Sequence, residues 1–130
     1  MAFNKNNKLS TILPQLNTFY WEINIDRQAI SFDETAWQVF GEKFKLTHSI
    51  KEFIKLLDKE SKTLFQQLLS NERLKDAYQL IIYVKSVEKE VSVILNGSFN
   101  AENKSIIEGI GFPFNLSINS IHFISYQIVL

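Results

Sequence analysis

The clearest pattern in the chain is an alternation of hydrophobic and polar residues over residues 19–25. Trp21, Ile23 and Ile25 fall on one face of an extended strand, because successive side chains of a strand point to opposite faces. A short polar segment follows, and residues 29–32 then continue the alternation. The pattern predicts two consecutive strands joined by a tight turn.

The hydrophobic period then lengthens to three or four residues, which is typical of helices. Asp33 is a suitable N-cap for a short helix that carries Ala36, Trp37 and Phe40 at helical spacing. Gly41 is expected to end this helix, because glycine readily adopts the backbone conformation found after a helix C-terminus.

Two further short helices are predicted from the same period. Ser49 is expected to cap the first, whose apolar positions are Ile50, Phe53, Ile54 and Leu57. Either Asp58 or Ser61 is expected to cap the second, whose apolar positions are Leu64, Phe65, Leu68 and Leu69. Residues 71–75 then read as a charged loop.

The last core segments return to strand-like sequence, rich in Val, Ile and Tyr with polar residues between them. Residues 78–87 and 91–99 predict a long antiparallel pair that turns at 88–89, and residues 105–112 predict one more strand. Strands, then helices, then strands indicate an α+β domain. We expect an antiparallel sheet of about five strands with short helices on one face.

Both ends of the chain carry apolar residues outside this block. Residues 1–17 predict a polar arm and an extra N-terminal amphipathic helix, whose stripe either packs on its own domain or forms a dimer interface. Residues 115–130 are β-branched and aromatic, which predicts an apolar tail that adds a strand to the sheet or exchanges with a partner chain. The stripe consists of Leu9, Ile12, Leu13 and Leu16.

Composition narrows the classes of partner. Fourteen basic residues balance fourteen acidic ones, so no strong field attracts nucleic acid or an anionic membrane, and we expect neither as a partner. There is no cysteine, which excludes disulfides, thiolate metal sites and thiol catalysis. No apolar run reaches the roughly 20 residues that span a bilayer, and a cytoplasmic protein is expected.

Several short motifs resemble those of the PAS domain family of sensor modules. The WEIN sequence at 21–24 resembles the W-E-W-D stretch in the first strand of many bacterial PAS domains. The WQVFG sequence at 37–41 resembles the short family helix that ends in glycine, and Gly97 and Gly109 match small residues of its last two strands. Together with the element order, the resemblance covers residues 18–112.

The resemblance implies a sensory or regulatory module of signal transduction over residues 18–114. Such a module would bind a small apolar or heterocyclic ligand or a signalling protein partner, and would form a homodimer. Two features depart from the family. Residues 58–61 keep only the acidic character of its His-Pro-Glu-Asp connector, and 113–115 replace its D-I-T exit toward an effector, which argues against coupling to a downstream kinase or cyclase.

Two other interpretations remain open at this stage. The chain is alternatively a dimerisation or interaction domain of a longer histidine kinase or cyclic-dinucleotide signalling protein. It is otherwise a small-molecule enzyme on a related α+β fold, which requires an ionisable residue inside an aromatic cavity. Glu22 and Glu108 are the least implausible candidates for that residue.

The resemblance places a ligand pocket between the concave face of the sheet and the short helices. Large side chains from every predicted core element are expected there, and they either line a cavity or fill it as an ordinary core. The candidates are Trp21, Ile23, Phe32, Trp37, Phe40, Phe53, Leu57, Ile82, Val93, Leu95 and Ile110.

The sequence identifies no cofactor and no catalytic motif. It contains no phosphate-binding glycine loop, nucleophile elbow or H-E-x-x-H zinc motif, so no enzymatic activity is expected. His48 and His122 are the only imidazoles. Because His48 precedes a helix, we expect its ring to face solvent or a helix cap rather than to bind haem. Asn96 and Gln79 have the polar chemistry that a non-covalent flavin needs, but they also suit a solvated sheet face.

Overall fold

A computed structural model describes residues 17–70 and 78–114, with Tyr78 described by its backbone alone. Two strand blocks flank a helical segment along the chain, as the hydrophobic pattern predicts. The strands are β1 Phe19–Asn24, β2 Ala29–Phe32, β3 Thr47–Ser49, β4 Tyr78–Lys85, β5 Glu90–Phe99 and β6 Ile106–Pro113. The helices are α1 Ala36–Phe40, α2 Ile50–Ile54 and α3 Lys59–Ser70.

All six strands join one antiparallel sheet in the order β3-β2-β1-β6-β5-β4. The central pair is β1 with β6, so the first and last described strands of the chain lie side by side. The prediction of about five strands missed β3, which adds three residues to the edge of the sheet beside β2. Its inward residue, His48, lies opposite Ile30.

The inner face of the sheet forms the core together with the helices. In β1, Phe19, Trp21 and Ile23 are fully buried, while the alternate residues Tyr20 and Glu22 are only partly buried. The predicted period of two is therefore confirmed in this strand. On β5 the same rule buries Val93 and Leu95, but Ile94 on the opposite face is also buried.

Helix α1 begins differently from the prediction. Its N-cap is Thr35, which makes no side-chain capping hydrogen bond, so the predicted role of Asp33 is wrong. The Asp33 carboxylate instead accepts a hydrogen bond from the Tyr20 backbone N–H at 3.2 Å. Gly41 ends α1 as predicted, with a φ of 106° that favours glycine.

The other two helices begin at predicted caps. Ser49 Oγ accepts from the Glu52 backbone N–H at 3.1 Å, and Asp58 Oδ1 accepts from the Ser61 backbone N–H at 2.8 Å. Asp58 is therefore the cap of α3, which settles the open choice with Ser61. Within α3, Phe65 and Leu68 are buried as predicted, but Leu64 is 40% exposed, so its predicted place in the core is wrong.

Several predictions lie outside the described residues. They concern the stripe Leu9, Ile12, Leu13 and Leu16, the loop at 71–75, the tail at 115–130 and His122. Within residues 17–70 and 78–114, no helix combines the length and the apolar character needed to cross a bilayer.

Candidate functional site

The space between the sheet and the helices is where the sequence places a ligand pocket. Nine of the eleven candidate residues are at most 3% exposed and lie together in the core. They are Trp21, Ile23, Phe32, Phe40, Phe53, Leu57, Ile82, Val93 and Leu95. The structure thus brings most of the predicted site residues into one cluster.

Trp37 and Ile110 do not belong to this cluster. Trp37 is 39% exposed because α1 turns Ala36, Val39 and Phe40 toward the core, and its indole Nε1 donates to the Phe44 backbone oxygen at 2.8 Å. Ile110 lies on the outer face of β6, since side chains alternate along a strand and the glycines on either side of it occupy the inward positions. The prediction that Trp37 and Ile110 lie in the pocket is therefore wrong.

Aromatic rings occupy the space of the predicted pocket. The Phe32 ring lies at its centre, with centroid distances of 5.7 Å to Phe19, 5.9 Å to Phe40, 5.3 Å to Phe44 and 5.6 Å to Phe53. Tilted and edge-to-face contacts at such distances are the favourable geometry of packed aromatic side chains. This part of the interior therefore has the contacts of a packed core.

Two of the rings in this region escaped the sequence analysis. Phe19 is fully buried, and Phe44 is 5% exposed. Phe44 had a detectable signal, since Phe44, Leu46 and His48 recur at every second position into β3. That alternation also marks the missed strand, although three residues of it are short for a strand assignment.

His48 is buried against this aromatic cluster, contrary to the expectation that its ring faces solvent or a cap. It is 7% exposed, and its ring centroid lies 4.9 Å from Phe44 and 5.9 Å from Phe53. Its Nε2 has no hydrogen-bond partner within the described residues. Burial lowers the pKa of His48 and so favours the neutral imidazole. A backbone hydrogen bond with Lys45 opposes this effect by raising the pKa, but it is the smaller of the two.

A groove of about 350 Å³ opens beside His48, between the α2 region and the β4–β5 turn. We call it the His48 groove. Its apolar wall contains Phe44, Leu56 and Val87, and Val87 is 85% exposed at the rim. The remaining lining residues are Lys43, Lys45, Glu52, Lys55 and Ser86.

A wider surface groove of about 950 Å³ lies along α1 and includes Trp37. The β4–β5 turn forms one wall, with one hydrogen bond to the last residue of α1 and one to the segment that follows α1. Ser86 Oγ donates to the Phe40 backbone oxygen, and Glu88 Oε1 accepts from the Lys43 backbone N–H at 2.8 Å. The turn and α1 therefore form one continuous surface.

The carboxylates considered for catalysis lie on the opposite side of the sheet. Glu22 and Glu108 are cross-strand neighbours on the outer face, and Glu108 accepts a hydrogen bond from the Asn100 side chain. Burial raises the pKa of Glu22, and the charge of Glu108 raises it further. Because this pair does not face the aromatic interior, it does not meet the condition set for an enzyme cavity.

The polar pair considered for flavin also lies on the outer face. Gln79 and Asn96 are direct neighbours on β4 and β5, one position away from the inward residues Leu80 and Leu95. They therefore do not line the interior. Within the part of the chain that the structure describes, no group of three or more His, Asp or Glu residues could hold a metal ion.

Solved structures with similar folds include several sensory domains. A sensory box histidine kinase/response regulator from Burkholderia thailandensis E264 matches with a TM-score of 0.62 and 8% identity, over 94% of this chain and 94% of that chain. The N-terminal domain of a diguanylate cyclase with a PAS/PAC sensor from Marinobacter aquaeolei matches with a TM-score of 0.60 and 10% identity, over 74% and 94%.

A third similar chain comes from work on adaptor-dependent degradation of a cell-cycle regulator. It has a TM-score of 0.63 and 10% identity, over 84% of this chain and 95% of that chain. No protein-family profile and no curated protein matches the sequence. At these identities the similarities show the fold alone: the chain has a PAS-like α+β fold with a six-stranded sheet.

Proposed function

We propose that this chain is a sensory or regulatory module of signal transduction that acts through contacts with a second copy of itself or with a signalling protein. The observation that carries the proposal is the PAS-like fold combined with an aromatic cluster in the space expected for a ligand. Because rings already occupy that space, a signal is more readily transmitted through the surface than through a cofactor in the core.

Exposed apolar side chains support a role in protein contacts. Trp37 is 39% exposed on α1 and Val87 is 85% exposed on the neighbouring β4–β5 turn. Large aromatic side chains of this kind are enriched in protein interfaces. The N-terminal stripe that includes Leu13 supplies a second candidate contact, and a homodimer through it remains part of the proposal.

A non-catalytic, cytoplasmic role is also part of the proposal. The non-catalytic part is supported by the absence of a catalytic motif from the sequence and by the position of Glu22 and Glu108 on the outer face. One observation favours the alternative of an interaction domain from a longer histidine kinase or cyclic-dinucleotide signalling protein. The alignment with this chain covers 94% of the solved chain both for the histidine kinase/response regulator and for the diguanylate cyclase domain.

Native mass spectrometry of freshly purified protein, with an absorbance scan of the same sample, tests this proposal. We expect the mass of a homodimer with no added group and no absorbance beyond that of the aromatic residues. Added mass or a visible band would overturn the proposal that the core holds no cofactor. A monomer that also binds no signalling protein would overturn the proposed function itself.

A pair of substitutions localises the dimer contact. Leu13→Glu places a charge on the predicted stripe, whereas Asn7→Glu adds the same charge to the polar arm outside the stripe. We expect the first variant to be monomeric and the second to remain dimeric, since a charge in an apolar interface is costly to desolvate. Two dimeric variants would exclude the stripe as the contact.

A further inference from the structure

The His48 groove has the size and lining of a small-molecule site. Its volume of about 350 Å³ lies at the lower end of ligand pockets, which measure roughly 300–1,000 Å³. Phe44, Leu56 and Val87 offer an apolar wall, and polar groups are confined to a few positions around it. The groove lies outside the phenylalanine-filled interior, so it does not require the core to open.

The groove carries a net positive charge. Three lysines and one glutamate line it, and Lys45 Nζ already pairs with Glu52 Oε2 at 3.2 Å. Among the described residues, Lys43 and Lys55 form no ion pair. Lys43 and Lys55 therefore supply positive charge to a groove with an apolar wall, which is an arrangement that suits an anion with an apolar body.

His48 provides an independent indication of a ligand. It lines the groove, is 7% exposed, and its Nε2 has no partner in the described part of the chain. A buried polar atom without a partner is uncommon and is often explained by a missing bound group. The small volume favours a small molecule over a peptide or a nucleic acid, both of which need extended surfaces.

We propose that the His48 groove binds a small aromatic or aliphatic carboxylate. The apolar body packs against Phe44, Leu56 and Val87, and the carboxylate lies within reach of the Lys43 and Lys55 ammonium groups. The site extends the proposed function by giving the domain an input for a metabolite outside its core. It does not depend on whether the chain dimerises, so the two proposals fail separately.

Titration of labelled protein with 2-naphthoate, followed by NMR, tests the site. The His48 ring signal, assigned from the spectrum of His48→Gln, should shift saturably, while the signal of His122, the other histidine, serves as an internal comparison. The neutral analogue 2-naphthalenemethanol should bind at least several-fold more weakly, because it cannot pair with the lysines. No saturable shift at His48, or equal binding of the alcohol, would overturn the proposal.

Charge-matched variants separate the groove from general electrostatics. Lys43→Gln with Lys55→Gln should weaken 2-naphthoate about fivefold, as expected for the loss of two partly exposed ion pairs. Lys59→Gln with Lys62→Gln removes the same charge from α3, outside the groove, and should leave the affinity unchanged. Equal losses in both double variants would contradict a site in the groove.

Discussion

The Trp21 indole lies directly over Gly97, so a Cβ added at Gly97 would come within 2.7 Å of the indole Cζ2. Gly109 is the cross-strand neighbour of both residues, and its own added Cβ would meet the Asn96 backbone oxygen. The indole Nε1 donates to the Ile110 backbone oxygen at 2.9 Å. Gly97 therefore makes room for the tryptophan, and Gly109 makes room for the neighbouring backbone of β5.

Gly97→Ala should destabilise the protein. The added methyl group forces the fully buried Trp21 ring to move, and overpacking of this kind costs about 1–3 kcal/mol. Urea unfolding of the variant measures the loss. Ser98→Ala, the next position on the outer face of β5, is the control and should change the free energy of unfolding little. An unchanged free energy of unfolding in Gly97→Ala would show that the indole is free to shift.

Ser61→Ala should weaken the attachment of α3 to the sheet. Ser61 is 4% exposed, and its Oγ accepts a hydrogen bond from the Tyr83 backbone N–H on β4 at 2.7 Å. Removing the Ser61 hydroxyl leaves that donor without its partner, at a cost of about 1–3 kcal/mol. Thermal unfolding measures the effect. Thr63→Ala is the matched control, because the exposed Thr63 hydroxyl donates to the Lys59 backbone oxygen of the same helix and not to the sheet among the described residues. Equal losses in the two variants would contradict the proposed link.

The strands, turns and helix caps that depend on local sequence could be predicted. The alternation around Trp21 identified β1, and Ser49 identified the start of α2. The start of α3 was narrowed to Asp58 or Ser61, and the structure shows Asp58 as the cap. Asp33 was assigned wrongly because aspartate also pairs with backbone N–H groups outside helices. The local sequence did not show that the partner would be Tyr20.

The positions that the sequence missed depend on contacts made far along the chain. The burial of His48 comes from Phe44 and Phe53, which α2 and the segment before β3 bring together. Trp37 was assigned to the interior from its spacing alone, although a helix of five residues has too few turns to fix its inner face. Whether large side chains line a cavity or fill it depends on three-dimensional packing, which periodicity does not encode.

The stability of the protein should fall as the pH is lowered through the titration range of His48. Because burial lowers the folded-state pKa of His48, the unfolded chain binds more protons between that lowered pKa and the ordinary value of about 6.5. Stability is therefore full above about pH 7 and declines below it. Lys45 and Glu52 are the nearby charged groups, and the hydrogen bond from Lys45 lowers the pKa of Glu52, so the Glu52 carboxylate stays ionised over this range.

Unfolding free energies of wild type and His48→Phe, measured between about pH 7.5 and pH 5, isolate this contribution. The wild-type curve should be steeper, since the variant lacks the buried imidazole but retains every other titrating group. His122 contributes equally to both proteins and cancels in the comparison. Parallel curves would contradict the burial of a neutral imidazole at this position.

Glu22→Gln should stabilise the protein at neutral pH. Glu22 lies directly opposite Glu108, and like charges at such positions cost about 0.2–1 kcal/mol. Because burial and the charge of Glu108 raise the folded-state pKa of Glu22, wild type loses stability as the pH rises from the ordinary glutamate value of about 4.3 through that raised pKa. The gain from the substitution should therefore be full at pH 7 and absent below pH 4.

Urea unfolding at both pH values measures this gain, with Glu102→Gln on the exposed β5–β6 turn as the control. A gain that persists at the acidic pH would attribute the effect to side-chain packing rather than to charge.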